Sequence, residues 1–223
     1  MLVTSSLMVV SIFDTETIAR YLRYNSKGNG EHYKSSHQNV ENWIVDLNLR
    51  NVVLDQPVLG SDIPFFWHAH SSDEVIVKKV LRNCFGRKVI ELNDIDDIES
   101  AKETDLVSQD RKNFVITSPF IRATAEIFTK EHHGRMFGFF RHPIDYEMSD
   151  TLPQNPDNWL TRFLSDTPEA KLTYKDLGIA KHVIRETCVV GIITNMQESL
   201  ERIGAYFGWE LTSSEYIDDA LVD

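Results

Sequence analysis

Ile63-Pro64-Phe65-Phe66-Trp67-His68-Ala69-His70-Ser71-Ser72-Asp73-Glu74-Val75-Ile76-Val77-Lys78 is the stretch on which the fold turns. Its first six residues form a short apolar run of the length and composition of a strand buried on both faces. From Ser71 the pattern changes. Val75, Ile76, Val80 and Cys84 recur at helical spacing, which predicts a helix over 71–84. A buried strand running directly into an amphipathic helix is the first half of a βα unit.

The same alternation continues along the chain. Lys88–Leu92, Asn113–Thr117, Met136–Phe140 and Val189–Ile193 read as further short strands. The acidic stretch Asp94–Glu99 reads as a solvated loop or the start of a helix. Ser118 reads as a helix cap with Pro119 in the first turn, and Phe120, Ala123, Ile127 and Phe128 supply an apolar face. Thr173 is placed to cap an amphipathic helix over 173–186 whose Leu177, Ala180 and Ile184 share a side. Thr194-x-x-Gln197 has the form of a capping box opening a last helix, with Leu200, Ile203 and Phe207 inward. Short apolar strands alternating with helices predict an α/β fold, a three-layer sandwich with a parallel sheet flanked by helices. Residues 56–223 make up this domain. Residues 1–55 read as a lead-in, with short helices over 15–24 and 39–51 and a polar loop over 25–38.

Bulk properties bound the function. The chain has 223 residues and a formal net charge of -11, against the basic face a nucleic-acid protein needs and against broad adhesion to anionic membrane. A local basic pocket for an anionic cofactor needs only a few Arg or Lys and stays open. Met1–Phe13 is too short and too polar to span a bilayer and lacks the basic start of a signal peptide. It reads as a buried strand or a poorly ordered end. Cys84 and Cys188 belong to no CxxC pair and read as buried free thiols, with one disulfide between them as the alternative.

Parallel sheets bind ligands at the carboxyl ends of their strands, so the loop after Trp67 is the first place for chemistry. A phosphate-binding loop uses small residues whose N–H groups close on the anion, with a Lys and a hydroxyl beside the helix start. Here the serines fit, but Asp73 and Glu74 stand where an anion would go. Three readings of the loop remain. Ser71-x-x-Glu74 is a capping box that satisfies the helix N-terminus from within the chain. A modified anion site is the second. The third is a metal site on His68 and His70, alternate strand residues that share a face, with Asp73 or Glu74 as further ligands.

A second constellation is Phe139-Phe140-Arg141-His142-Pro143-Ile144-Asp145-Tyr146-Glu147-Met148-Ser149. An Arg at a strand end and a Ser on the following segment can share one phosphate, the Arg by a bidentate grip and the Ser by a short hydrogen bond. A surface ion pair is the alternative for Arg141. Glu131-His132-His133 carries acid–base groups but reads as a solvated turn. Arg162 faces either a ligand or a structural ion pair.

Several stretches, taken in order, carry a resemblance. They are Ile116-Thr117-Ser118-Pro119-Phe120, Phe128 through Arg141-His142-Pro143-Ile144-Asp145, Asn158-Trp159-Leu160-Thr161-Arg162-Phe163-Leu164, and the segment closing on Tyr206-Phe207-Gly208-Trp209. With Phe66-Trp67-His68, they resemble the sulfotransferase-like family of algae and diatoms, which has a P-loop fold, over residues 57–210. The resemblance implies a nucleotide donor, 3'-phosphoadenosine 5'-phosphosulfate, and transfer of its sulfuryl group to a hydroxyl or amine. It implies that Arg141 and Ser149 bind the 3'-phosphate and that Ser72 is the retained residue of the 5'-phosphosulfate loop. That loop in the family reads Pro-Lys-Ser-Gly-Gly-Thr-Thr, so its Lys is Ser71 here and its two glycines are Asp73 and Glu74. A degenerate loop and a weakened or altered activity follow. The alternative is a non-catalytic binding or assembly module on the same fold, with a protein partner. The resemblance implies a Golgi lumenal setting. It also implies a further helical segment after Trp209, so the expectation is a truncated or diverged member.

Overall fold

The computed structural model describes residues 48–68, 72–108, 113–140, 158–165 and 171–210. Five strands form one sheet: β1 (Ile63–Trp67), β2 (Lys88–Glu91), β3 (Phe114–Ser118), β4 (Gly134–Phe140) and β5 (Cys188–Ile192). Their order is β2-β3-β1-β4-β5, and every pairing is parallel. Among the described residues the α-helices are α1 (Ser72–Asn83), α2 (Ile95–Glu103), α3 (Ile121–Ala125), α4 (Trp159–Ser165), α5 (Tyr174–Thr187) and α6 (Met196–Phe207). The parallel sheet with helices on both faces is the α/β sandwich that the βα alternation implies.

The layers follow from the period of two along each strand. Phe65 and Trp67 of β1, Ile116 of β3 and Met136 of β4 face one way, into a core closed by Ile98 of α2, Ala123 of α3, Leu160 and Leu164 of α4, and Ile179 and Val183 of α5. Phe66, Val115 and Phe137 face the other way, against Val77, Val80 and Leu81 of α1 and Leu200, Ile203 and Phe207 of α6. Phe66 and Phe137 stack at 5.3 Å between centroids. Each fully buried ring of this kind contributes roughly 1.5–3 kcal/mol relative to exposure. Cys84 and Cys188 are buried free thiols belonging to opposite cores.

Several local expectations change in detail. The buried face of α1 is Val77, Val80 and Leu81, whereas Val75 is 52% exposed. Val80 and Cys84 are buried as expected and Ile76 is half-buried, while Val77, Leu81 and Lys78 widen the face that the helix turns toward the sheet. Ser118 ends β3 rather than capping a helix. Its hydroxyl accepts from Phe120 N–H at 3.1 Å and so shapes the turn, and the helix begins only at Ile121. Asp94 caps α2 by accepting from Asp97 N–H at 2.8 Å, which resolves the acidic stretch as a helix start. Thr173 caps α5 in a full capping box with Asp176. The box expected at Thr194 does not form. Residues Ile193–Asn195 make a 3-10 turn, and Gln197 donates to Glu201 instead. At the other end of α6, Gly208 takes φ +65, and Trp209 N–H reaches back to the Gly204 carbonyl at 2.8 Å. That left-handed position favours glycine and turns Trp209 back onto the core.

Candidate functional site

The chain leaves β1 toward β2 on one side of the sheet, while β3 connects to β4 on the other side of β1. The strand order thus reverses at β1, which puts the ligand crevice of such a fold beyond its carboxyl end. Trp67 and His68 stand there. Trp67 Nε1–H donates to the Pro119 carbonyl at 2.9 Å, pinning β1 to the turn after β3. His68 continues the face of Phe66, lies 5.5 Å from its ring and is buried.

What lies over this strand end is a line of alternating charges. His68 Nδ1 pairs with Glu74 Oε2. Lys78 Nζ bridges Glu74 Oε1 at 3.3 Å and Glu91 Oε2 at 2.9 Å. Arg82 closes the line on Glu91 Oε1 at 2.5 Å. Register explains how the line forms. Glu91 pairs with Thr117, and Thr117 with Phe66, so these three occupy one row beneath α1. On the helix, Glu74, Lys78 and Arg82 repeat every four residues and stack on one face. Lys78 is only 5% exposed. Burial pushes the Glu91 carboxyl up, but hydrogen bonds from Lys78 and Arg82 outweigh it and hold the group below its ordinary value.

The arrangement sets what this end of the sheet can do. Glu74 sits in the first turn of α1, beside the N–H groups and positive dipole end that an anion would use. Its own carboxylate supplies the negative charge there, and it engages both His68 and Lys78. Two like charges about 4 Å apart repel by about 4 kcal/mol at an effective dielectric of about 20, so an incoming phosphate must displace Glu74 or bind beside it.

Of the sequence-expected site residues, Arg141 and Ser149 lie outside the described residues, as do Ser71, His70 and the side chains of Ser72 and Asp73. Ser72 is the first residue of α1. His68 is brought onto Glu74, and among the described residues no group of three or more His, Cys, Asp or Glu is arranged to hold a metal. Glu131 is exposed and His132 and His133 are half-buried at the opposite, amino end of the sheet, where Ile63 N–H donates to the His133 carbonyl at 2.8 Å. Arg162 is half-buried on α4. No described helix is long and apolar enough to cross a membrane.

Two groups of importance escape sequence reasoning. Lys78 had a signal, the Glu74-x-x-x-Lys78 spacing of a helical ion pair, but nothing in the spacing shows that the pair is buried. Arg135 is the second. It is fully buried at the amino end of β4, and donates through Nε to Asp62 Oδ2 at 2.8 Å. Its Nη1 donates to the Asp55 carbonyl at 2.6 Å and the Tyr206 hydroxyl at 2.8 Å, and its Nη2 to the Gln56 carbonyl at 2.7 Å. One guanidinium thus ties the segment 51–62 to the sheet and to α6. Its signal was a charge inside an otherwise apolar strand, and it is structural.

No family profile matches the chain, and no curated protein matches it. Among solved structures, it is similar to mouse sulfotransferase SULT7A1 complexed with PAP, at 15% identity and a TM-score of 0.39, over 85% of this chain and 70% of that one. At that identity and overlap the likeness assigns neither ligand nor activity.

Proposed function

We propose that this chain is a sulfotransferase-fold protein that binds a 3'-phosphoadenosine nucleotide and transfers a sulfuryl group from 3'-phosphoadenosine 5'-phosphosulfate to a hydroxyl or amine acceptor, at a reduced rate. Arg141 and Ser149 hold the 3'-phosphate in this reading, and Ser72 contributes on the phosphosulfate side. The ordered resemblance over residues 57–210 supports it, together with a central β1–loop–α1 unit at the point where the strand order reverses.

The observation that carries the reduced rate is the Glu74 carboxylate, tied to His68 and Lys78 in the first turn of α1. In sulfuryl transfer the acceptor forms a new bond to sulfur as the bond from sulfur to the 5'-phosphate oxygen breaks. The leaving phosphate gains negative charge, and catalysis depends on fixed positive charge facing it. Ser71 stands in place of the family's Lys, and the neighbouring cation Lys78 already serves two carboxylates. A loop in this state retains nucleotide more readily than it accelerates the bond cleavage.

The same observation favours a second reading, a non-catalytic binding or assembly module. Calorimetric titration with 3'-phosphoadenosine 5'-phosphate separates the alternatives, with Arg141→Ala as the control. Micromolar binding that Arg141→Ala abolishes, with slow sulfuryl transfer to a phenol or amine panel, supports the enzyme. Binding without transfer supports the module. No binding at millimolar nucleotide overturns the sulfotransferase reading altogether.

A further inference from the structure

Glu74 spans two nitrogen groups with one carboxylate. Its Oε2 meets His68 Nδ1, and its Oε1 meets Lys78 Nζ at 3.3 Å. The two nitrogens come from different elements, His68 from just beyond β1 and Lys78 from the middle of α1. Both are buried, and Glu74 is the more exposed member of the three. A phosphate or sulfate presents several acceptor oxygens from one centre, so it can make the same pair of contacts that the carboxylate makes here.

The charges along this line fit an exchange. Lys78 and Arg82 face Glu74 and Glu91, so the two cations and two carboxylates cancel as they stand. With Glu74 swung away, Glu91 alone stands against both cations, and one positive charge is left for an incoming anion. The floor of the cluster carries an independent sign. Thr117 of β3 faces α1, as Val115 does, and stands in register with Phe66 and Glu91. It is fully buried, and its Oγ1 has no hydrogen-bond partner among the described residues. Buried hydroxyls are as a rule satisfied, so this one points to a polar group that the chain itself does not supply.

We propose that Glu74 is an autoinhibitory stand-in for a phosphate-class anion: it occupies His68 and Lys78 in the resting protein, and a bound phosphate displaces it and takes both. That the natural anion is the 5'-phosphate end of a nucleotide rests on the function proposed above; the exchange itself does not.

Calorimetric titration of the full chain with pyrophosphate and with 3'-phosphoadenosine 5'-phosphate tests this. Glu74→Gln keeps the shape and removes the charge, and Glu74→Ala removes the competing group altogether. Each is expected to bind pyrophosphate at least about tenfold more tightly than the native protein, a gain of about 1.4 kcal/mol. Adding Lys78→Met to Glu74→Gln is expected to cancel that gain. Circular dichroism and melting temperature serve as folding controls, and Glu74→Ala keeps the test decisive where Glu74→Gln fails to fold. No gain for pyrophosphate in a folded Glu74 variant, or a gain that survives Lys78→Met, overturns the inference. Tighter pyrophosphate with no nucleotide binding in any form upholds the exchange and sinks the nucleotide reading. Nucleotide and pyrophosphate each bound equally by native and variant protein uphold that reading and overturn the exchange.

Discussion

The Arg135 guanidinium and the Asp62 carboxylate meet at 2.8 Å in a buried site, with side chains 1% and 4% exposed. Asp62 Oδ2 also accepts from Val58 N–H at 2.9 Å, so the pair fixes both sides of the entry into β1. Removing one partner of a buried pair leaves an uncompensated charge, which costs about 3–5 kcal/mol. Arg135→Met is therefore expected to lower unfolding stability by that amount in urea denaturation. Combining it with Asp62→Leu restores part of the loss, as a coupled pair requires. Strict additivity of the two single losses would refute the coupling.

Lys78 holds a similar position at the opposite end of the sheet, between Glu74 and Glu91. Lys78→Met keeps the aliphatic stem and deletes the charge, which leaves two carboxylates facing each other without their shared cation. The expected loss is about 3 kcal/mol, against less than about 1 kcal/mol for Arg82→Met, whose partner pair is more exposed. Parallel chemical denaturation of both variants measures the difference, and equal losses would show that burial of the line is not what gives Lys78 its weight.

Close approach at Gly134 gives a third expectation. A Cβ there would stand 2.7 Å from Leu49 Cδ2 and press on the Phe128 ring. Leu49 makes its bridge to β4 at this residue, and Gly134 N–H donates to the Asn48 carbonyl at 3.0 Å. Gly134→Ala is thus an overpacking change, expected to cost about 1–3 kcal/mol. Gly178, with open space around its Cβ position on an exposed face of α5, is the contrast. Gly178→Ala should stabilise, by up to about 1 kcal/mol, through better helix propensity. Melting curves of the two variants should move in opposite directions.

These residues also mark what sequence reading reaches. Strand and helix order is legible because β1 and β3 are buried on both faces and stand out as apolar runs such as Ile63–Trp67. The capping of α5 is legible because Thr173 acts locally. The box at Thr194 fails because a 3-10 turn set by the end of β5 intervenes, and no local pattern encodes that. Arg135 escapes because its partners are three carbonyls, a carboxylate and the Tyr206 hydroxyl, 71 to 84 positions away in the chain and brought together only by the fold. At the candidate site, the acidic residues of the loop are plain in the sequence. The Glu74–Lys78 pair is local to the helix, but that Glu91 of β2 joins it depends on the β1–β3–β2 register, which the chain order alone does not show.

The thiols provide a chemical test of the packing. Cys188 is buried at the start of β5, and burial pushes its pKa up to about 12. Cys84 is buried at the end of α1 and is shifted upward for the same reason. Thiolate is the reactive form, so both should resist aromatic disulfide reagents in the native protein at neutral pH. Both are expected to react promptly in denaturant. Fast labelling of either thiol under native conditions would mean that its core opens or is packed otherwise.

Acid sensitivity follows from two groups with the same sign. Burial, reinforced by the nearby Arg50, lowers the His133 pKa from its ordinary value, so the unfolded chain binds that proton more readily. Its contribution is present above the unfolded histidine value of about 6.5 and is lost as pH falls below it. Glu91 is held below its ordinary value by Lys78 and Arg82, although burial opposes them. Its contribution is present above the unfolded carboxylate value of about 4.3 and is lost as pH falls toward the folded value. Unfolding free energy measured by urea between pH 8 and pH 3 (roughly the span of both groups) should fall in two stages. Replacing His133 by Asn should flatten the upper stage and leave the lower one in place. Replacing Glu91 by Gln should do the reverse, at the cost of a lower plateau near neutral pH. An upper stage that survives His133→Asn would assign it to another group and remove His133 from the account.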